Sequence, residues 1–115
     1  MIKVLTKMAN RFIEKNKTEL IEKVSMCLSG EISPWVAREY AEDLMDEWGE
    51  FVQNNIIEEH YAKGEKVFWA IIWLLEISVE GDSWEDNIPP ESLAMYLDLL
   101  KKGGDLPKGC DARRP

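Results

Sequence analysis

The amino-acid sequence predicts an all-α fold, a small single-domain bundle of four to five helices. Apolar residues recur at spacings of three and four in several segments, which is the helical period. Serine, proline and glycine stand at the ends of these segments, where helices begin and end. The length of 115 residues fits one domain, and 45% hydrophobic residues are enough to form a core. We expect residues 1–104 to form the bundle and residues 105–115, which lack periodicity, to form an irregular, frayed C-terminal tail.

The first amphipathic segment begins near the start of the chain. Its apolar positions are Ile2, Leu5, Met8, Phe12 and Ile13. Asn16, with Glu19 three residues later, has the pattern of an N-cap that would begin a second helix. The alternative is one long helix that passes through Asn16, and the sequence is compatible with both. Gly30 is the expected C-terminal stop.

The next helix has the clearest start in the chain, at Ser33-Pro34. A serine supplies an N-cap oxygen, and proline fits the first helical position because no N–H is needed there. Its apolar positions are Ala37, Tyr40, Ala41, Leu44, Trp48, Phe51 and Val52. We expect this helix to extend to Asn54 or, alternatively, to continue to Ala62 and end at Gly64.

The most apolar segment is the nine-residue run from Val67 to Leu75. Its β-branched and aromatic residues would also suit a buried strand. We favour a helix from Glu65 to about Val79, because that length exceeds a typical strand and a helix that is apolar all round lies in the middle of a bundle. Trp69 and Trp73 are expected in the core. A membrane span needs about 20 apolar residues, so the run is too short for one.

The last helix is expected to follow a loop at residues 81–87. Pro89-Pro90 opens it, and Gly103-Gly104 closes it. Its inward-facing positions are Leu93, Tyr96, Leu97 and Leu100.

The net charge is −8, from 22 acidic and 14 basic residues. Residues 39–86 carry most of the acidity, because they hold 14 acidic residues against two lysines, a net charge of −12. Direct binding to nucleic acid needs a surplus of basic side chains to neutralise phosphates, so the charge argues against that function. A basic protein partner is the expectation that fits.

Six carboxylates of the Ser33-Pro34 helix form what we call the acidic row: Glu39, Glu42, Asp43, Asp46, Glu47 and Glu50. At 100° per residue they fill a sector of about 140°, opposite the apolar positions. Like charges four residues apart destabilise a helix by about 0.2–0.5 kcal/mol per pair, and no lysine separates them. The row is either an ordinary solvated face or a surface that meets a cationic partner.

A second acidic group surrounds Trp84. It comprises Asp82, Glu85 and Asp86, with Glu76 and Glu80 just before them. An aromatic side chain among carboxylates has the pattern of an interface anchor with a polar rim. The alternative is that Trp84 folds back to cover one end of the bundle. Asp82, Trp84, Glu85 and Asp86 therefore join the acidic row as candidate partner-binding residues.

Catalytic and metal-binding patterns find little support in the sequence. His60 is the only histidine, and no nucleophile stands beside it in a recognisable motif. There is no glycine-rich phosphate loop and no Cys/His spacing typical of zinc. Cys27 and Cys110 do not make a disulfide framework, and the charged start of the chain does not resemble a signal peptide. We expect a cytoplasmic protein that is not an enzyme and has no metal or cofactor.

Two segments resemble immunity proteins that neutralise bacterial toxins. The segment 28–33, LSGEIS, between an apolar helix and a helix with aromatic residues, resembles a recurring motif of the colicin-D-type immunity family and of immunity proteins from contact-dependent growth-inhibition systems. The segment 67–70, VFWA, is also similar to those proteins. The resemblance covers residues 19–75. It implies a small acidic helical bundle that binds a toxin's nuclease domain, often a tRNA-cleaving one, and blocks its cationic cleft.

Three functions remain as hypotheses from the sequence. The first is an immunity protein that occludes a cationic toxin domain through its acidic surface. The second is a phage-type DNA mimic, or an adaptor that inhibits a basic host protein. The third is a structural or regulatory helical oligomer, in which the apolar stripes at Met8/Phe12 and Leu97/Leu100 are contacts between copies.

Overall fold

The computed structural model describes residues 8–77 and 90–115, and this part of the chain is all-α, without strands. The prediction of a helical bundle is confirmed. Its helices are α1 (Met8–Ser29), α2 (Pro34–Asn54), α3 (Glu65–Ile77) and α4 (Pro90–Lys102). Helix α3 packs against each of the other three helices.

Helix α1 passes through Asn16 without interruption. The N-cap prediction for Asn16 is wrong, and the alternative of one continuous helix is correct for residues 8–29. Asn16 is buried, and its side-chain amide donates a hydrogen bond to the carbonyl of Phe12 at 2.9 Å. The apolar face continues on both sides of Asn16, through Phe12 and Leu20, so packing keeps the residue helical.

The turn between α1 and α2 follows the predicted signals. Gly30 adopts a φ of +82°, which glycine tolerates, and this ends α1. Ser33 has an extended backbone, and its Oγ accepts a hydrogen bond from the N–H of Val36 at 3.3 Å. Pro34 occupies the first helical position. These residues fix the direction in which α2 leaves the turn.

Helix α2 ends at Asn54, so the alternative of a continuation to Ala62 is wrong. Asn55 has an extended backbone, and its side-chain amide donates to the Phe51 carbonyl at 2.9 Å, which satisfies an acceptor of the last turn. Residues 55–64 form an irregular connection. Gly64, with a φ of +78°, therefore directly precedes α3 and does not end α2.

The core is built around aromatic side chains of three helices. Trp69 is completely buried, and its ring lies 5.1 Å from that of Trp48 and 6.0 Å from that of Phe12, between ring centroids. The helical interpretation of the apolar run is thus confirmed, and Trp69 is a core residue as predicted. Trp73 is only partly buried, and its indole N–H donates to the carbonyl of Arg113 at 2.7 Å. It therefore packs at the edge of the core.

The two apolar stripes considered as oligomer contacts lie inside the chain's own core except at Met8, which is partly exposed. Phe12, Leu97 and Leu100 are all buried against neighbouring helices. Leu93 of α4 is buried with them, whereas Tyr96 is partly exposed. Phe12, Leu97 and Leu100 are therefore not exposed for contacts between copies.

Glu65, the first residue of α3, is a carboxylate with no solvent exposure. It accepts hydrogen bonds from the N–H of Ala62 at 2.8 Å and from the indole N–H of Trp69 at 2.9 Å. The guanidinium of Arg114 completes the arrangement by donating from Nε and Nη2 to the two carboxylate oxygens. The buried charge is thus both paired and hydrogen-bonded, as a buried charge must be.

The C-terminal segment is docked and not frayed, in contrast to the expectation from its composition. Arg114 also donates from Nη1 to the Glu58 carbonyl at 2.7 Å and from Nη2 to the His60 carbonyl at 3.2 Å. Its backbone N–H donates to the Tyr61 hydroxyl at 3.1 Å, and Ala112 is buried. A single anchoring side chain leaves no periodic signal, which is why the sequence pattern does not reveal it.

The irregular connection 55–64 also reaches α1. The carboxylate of Glu58 accepts a hydrogen bond from the N–H of Ala9 at 3.1 Å. N–H groups in the first turn of a helix lack intrahelical acceptors, so Glu58 acts as a cap supplied from a distant part of the chain. The C-terminal segment, the connection and α1 are therefore joined through hydrogen bonds of one network.

Burial raises the pKa of the Glu65 carboxyl, but hydrogen bonds from Arg114, the Ala62 amide and Trp69 outweigh that effect. The pKa of Glu65 is consequently below its ordinary value. A carboxyl with a lowered pKa in the folded state contributes stability at neutral pH, and that contribution is lost as the pH falls through the folded-state pKa.

Replacement of Arg114 by alanine should lower the free energy of unfolding by about 3–5 kcal/mol, because it leaves the buried carboxylate of Glu65 without its charged partner. Arg113→Ala is the matched control, since the exposed Arg113 makes its hydrogen bond to Trp73 through the backbone carbonyl. Urea unfolding followed by tryptophan fluorescence measures both. Equal losses in the two variants would contradict the assignment.

The stabilising effect of Glu65 should depend on pH. At neutral pH, Glu65→Gln should be less stable than the wild type, and the difference should shrink as the pH falls below about 4.3, where an unfolded glutamate takes up a proton. Chemical denaturation from pH 7 to pH 3 measures this. Glu14→Gln, at an exposed position of α1, is the control. A wild-type advantage over Glu65→Gln that stays constant down to pH 3 would contradict the lowered pKa.

Candidate functional site

The six carboxylates of the acidic row are all exposed on α2. The opposite side of the same helix carries the buried residues Ala37, Ala41, Leu44 and Trp48. The packing of that buried side against α1 and α3 fixes the rotation of the helix. The row is therefore presented to solvent as one continuous face of a helix that is held on its other side.

One member of the row, Glu42, forms an ion pair. Its partner is an arginine, which a search for lysines between the carboxylates does not find. Arg38 donates from Nε to Glu42 at 2.9 Å, four residues further along the helix. Its Nη2 also lies 3.7 Å from a carboxylate oxygen of Glu76 in α3. Within residues 8–77 and 90–115, this is the only ion pair to the row, which leaves five carboxylates without a cationic partner.

An exposed tryptophan lies in the same sector as the row. Trp35 is 60% exposed, the largest aromatic surface on the described part of the molecule. It precedes Glu39 by four residues and Glu42 by seven, so the helical period places it on the acidic face. Val36, beside it, is 43% exposed. Sequence reasoning missed Trp35, although its spacing to the row was a usable signal.

Arg38 links this tryptophan to the row. Its guanidinium lies 5.9 Å from the centre of the Trp35 ring, within the range of a cation–π contact. The same group holds Glu42. Arg38 thus lies over the ring of Trp35, while most of the tryptophan surface stays open to solvent. Large, partly anchored aromatic side chains of this kind are typical of binding hot spots.

Tyr40 lies at the boundary between the row and the core. Burial raises the pKa of its hydroxyl, and the nearby carboxylates of Glu19 and Glu47 raise it further. The phenol therefore stays neutral over the whole physiological range. The smaller contribution of Glu19 and Glu47 reflects the negative charge next to this residue.

The other end of the row is partly balanced by α1. A surface groove of about 390 Å³ between α1 and α2 is lined by the cations Arg11 and Lys15 and by Glu47 and Glu50 of the row. These cations lower the negative potential at that end. The members of the row that neither pair with Arg38 nor line this groove are Glu39, Asp43 and Asp46.

The second predicted group is not placed by the structure. Asp82, Trp84, Glu85 and Asp86 lie outside the described residues, as does Glu80. Glu76 is described, and its carboxylate lies near Arg38 at the end of α3.

The histidine and the two cysteines, which could take part in catalysis or metal binding, are not grouped into a site. His60 is exposed, and its backbone carbonyl accepts from Arg114. Cys27 is buried, which raises the pKa of its thiol, whereas Cys110 is exposed. In the described ranges, no group of three or more histidine, cysteine, aspartate or glutamate side chains is arranged to hold a metal ion. No helix in the described ranges combines the length and hydropathy that crossing a membrane requires.

Comparisons with known proteins add no relative. No family model, no curated protein and no solved structure matches this chain.

The like-charge repulsion within the row predicts that Asp43→Asn stabilises the protein. The change removes the pairs with Glu39 and Glu47, and each is worth about 0.2–0.5 kcal/mol, so the free energy of unfolding should rise by about 0.4–1 kcal/mol at low ionic strength. Glu42→Gln is the control and should gain little, because it also loses the ion pair with Arg38. A loss of stability in Asp43→Asn, measured by urea unfolding, would show that the carboxylates do not repel each other.

Proposed function

We propose that this protein is a bacterial immunity protein that binds a cationic toxin domain and occludes its active cleft through the acidic face of α2. The observation that carries the proposal is the row of exposed carboxylates next to an exposed Trp35. The segments LSGEIS and VFWA, which resemble such immunity proteins, point in the same direction. The toxin domain would be a nuclease, and the resemblance implies a tRNA-cleaving one.

The charge spacing of the row supports competition with a nucleic-acid backbone. Glu39 and Glu50 are 11 positions apart, or about 16 Å along the helix axis. With Glu42 paired to Arg38, five carboxylates remain, at a mean axial spacing of about 4 Å. One strand of a duplex carries about one phosphate per 3.4 Å. A cleft that is lined with lysine and arginine to hold phosphates would therefore meet a similar line density of negative charge on α2.

The proposed contact has two physical components. The carboxylates accelerate association and select a basic partner, an effect that weakens as salt screens the charges. Trp35 supplies the apolar area that slows dissociation once its ring is covered. Since the row is held by a helix packed into the core, it does not need to be ordered on binding, which avoids one entropic cost of association.

The nuclease would act on RNA or DNA in the cytoplasm, so we also propose that compartment for this protein. The proposal requires no catalytic residue, metal or cofactor in this chain. Inhibition follows from occupation of the cleft alone.

Charge reversal in the row tests the proposal. The triple variant Asp43→Lys, Asp46→Lys, Glu47→Lys should abolish binding to the purified nuclease domain of the toxin encoded by the adjacent gene, because repulsion replaces attraction. The matched control reverses three exposed carboxylates elsewhere, Glu14, Glu22 and Glu91, and so changes the net charge equally. Calorimetry at several salt concentrations, with a nuclease assay, measures binding and inhibition.

Two different results would show that the contact face is wrong or that the immunity function is wrong. Unchanged affinity in the row variant, with loss in the control, would assign the contact to another face. No complex between the wild type and that domain at low salt would overturn the immunity proposal itself. Trp35→Ala provides a second readout, since it should raise the dissociation rate with little effect on the salt dependence of association.

A phage-type DNA mimic or an adaptor is the second candidate, because the same charge spacing suits any protein that binds a nucleic-acid backbone. The gene next to this one separates the candidates. A toxin gene favours an immunity protein, and phage genes favour a mimic that inhibits a basic host protein.

A further inference from the structure

The surroundings of the Arg114 side chain form a complete recognition site for a guanidinium group. We call it the guanidinium site, and it consists of the Glu65 carboxylate, the Glu58 and His60 carbonyls, and the rings of Tyr61 and Trp48. The carboxylate takes two hydrogen bonds, and each carbonyl takes one. The guanidinium carbon lies 4.5 Å from the centre of the Tyr61 ring and 5.8 Å from that of Trp48.

This geometry suits a guanidinium and not an ammonium. The acceptors are arranged around a planar group, with the carboxylate on one edge and the two carbonyls on another. An ammonium is a compact charge with three donors and cannot make a bidentate contact of this kind. Aromatic faces add further preference, because the planar guanidinium stacks on them.

The walls of the site are held by contacts that do not involve Arg114. Glu65 is fixed by the Ala62 N–H and the Trp69 indole, and it lies at the start of α3. Trp48 is packed into the aromatic core against Phe12 and Trp69. The site is therefore built by residues 48–69 and their neighbours, while its occupant comes from a separate part of the chain.

Apart from the Arg114 side chain, the segment is attached by single contacts spread along it, which include the Arg114 N–H bond to the Tyr61 hydroxyl and the packing of Leu106 on the core. Residues 104–115 have no helix or strand. Ala112 is buried, the Arg113 carbonyl accepts from Trp73, and the exposed ion pair of Lys66 with Asp111 spans 2.9 Å. Exposed ion pairs contribute little. Local release of such a segment costs less free energy than unfolding of the bundle.

We propose that this is a binding site for an arginine side chain or another alkylguanidinium, and that Arg114 is its exchangeable intramolecular ligand. The site lies apart from the proposed function of the acidic row, and either assignment can fail alone. When the C-terminal segment detaches, the site opens a buried carboxylate and two aromatic faces to a guanidinium supplied from outside.

Chemical rescue of the full-length Arg114→Ala variant tests the proposal. Ethylguanidinium chloride, titrated at millimolar concentrations far below those that denature proteins, should raise the Tm of the variant along a saturable curve. It should also change the fluorescence of the tryptophans beside the site. Ethylammonium chloride at equal ionic strength should not do so, and the wild type should require a much higher ethylguanidinium concentration than the variant, because the added ligand must displace Arg114. An equal response to both salts, or no response to ethylguanidinium, would overturn the proposal.

Two further variants keep the test decisive. Arg114→Lys keeps the positive charge and should be less stable than the wild type, so equal Tm values would overturn the preference for guanidinium. The double variant Arg114→Ala, Glu65→Gln should lose the response to ethylguanidinium, and a retained response would place binding elsewhere. If Arg114→Ala is unfolded alone, ethylguanidinium should refold it, and failure to refold would also count against the site.

Discussion

The buried carboxylate of Glu65 is the constraint on which the rest of the structure depends. A charge removed from water must be paired and hydrogen-bonded, and three groups bond to this carboxylate: the Ala62 N–H, the Trp69 indole and the Arg114 guanidinium. Replacement of a buried ion pair by apolar packing is often neutral or stabilising, so we infer that this pair serves mainly to specify one arrangement. It fixes the orientation of the Trp69 indole, closes the connection 55–64 and attaches the C-terminal segment, because each of these supplies a hydrogen bond to the same network.

Helix α2 combines a stabilising face with a costly one. The four like-charge pairs of the acidic row cost about 0.8–2 kcal/mol together. Burial of Trp48 on the opposite side is worth more, since truncation of a buried aromatic side chain costs about 3–5 kcal/mol. The core therefore supports a surface that would be unfavourable on an isolated helix. Surfaces that cost stability are expected where a protein binds a partner, and the exposed Trp35 on the same face agrees with that expectation.

The parts of the fold that depend on local pattern could be predicted from the sequence. Ser33-Pro34 marks the start of α2 because capping needs only neighbouring residues, and the long apolar run forms α3 because its length exceeds a strand. The errors have non-local causes. Asn16 stays helical because its neighbours pack into the core, and Arg114 binds residues about 50 positions earlier, which no periodicity records. For the candidate surface, the spacing of the carboxylates was enough to predict that they share one face of α2. The exposure of Trp35 could not be predicted in this way, because it depends on how α2 packs against the other helices.

The contacts of Arg114 also have a consequence for the order in which the chain can fold. Its partners, the Glu58 carbonyl and the Glu65 carboxylate, lie 56 and 49 residues earlier in the sequence. Helices α1, α2 and α3 all precede Arg114 in the chain, so contacts among them can form over shorter sequence separations than the closure by Arg114. Contacts between distant residues form slowly because a long loop must close first. Until Arg114 docks, the Glu65 carboxyl has no cationic partner, so that part of the core must leave Glu65 hydrated or protonated.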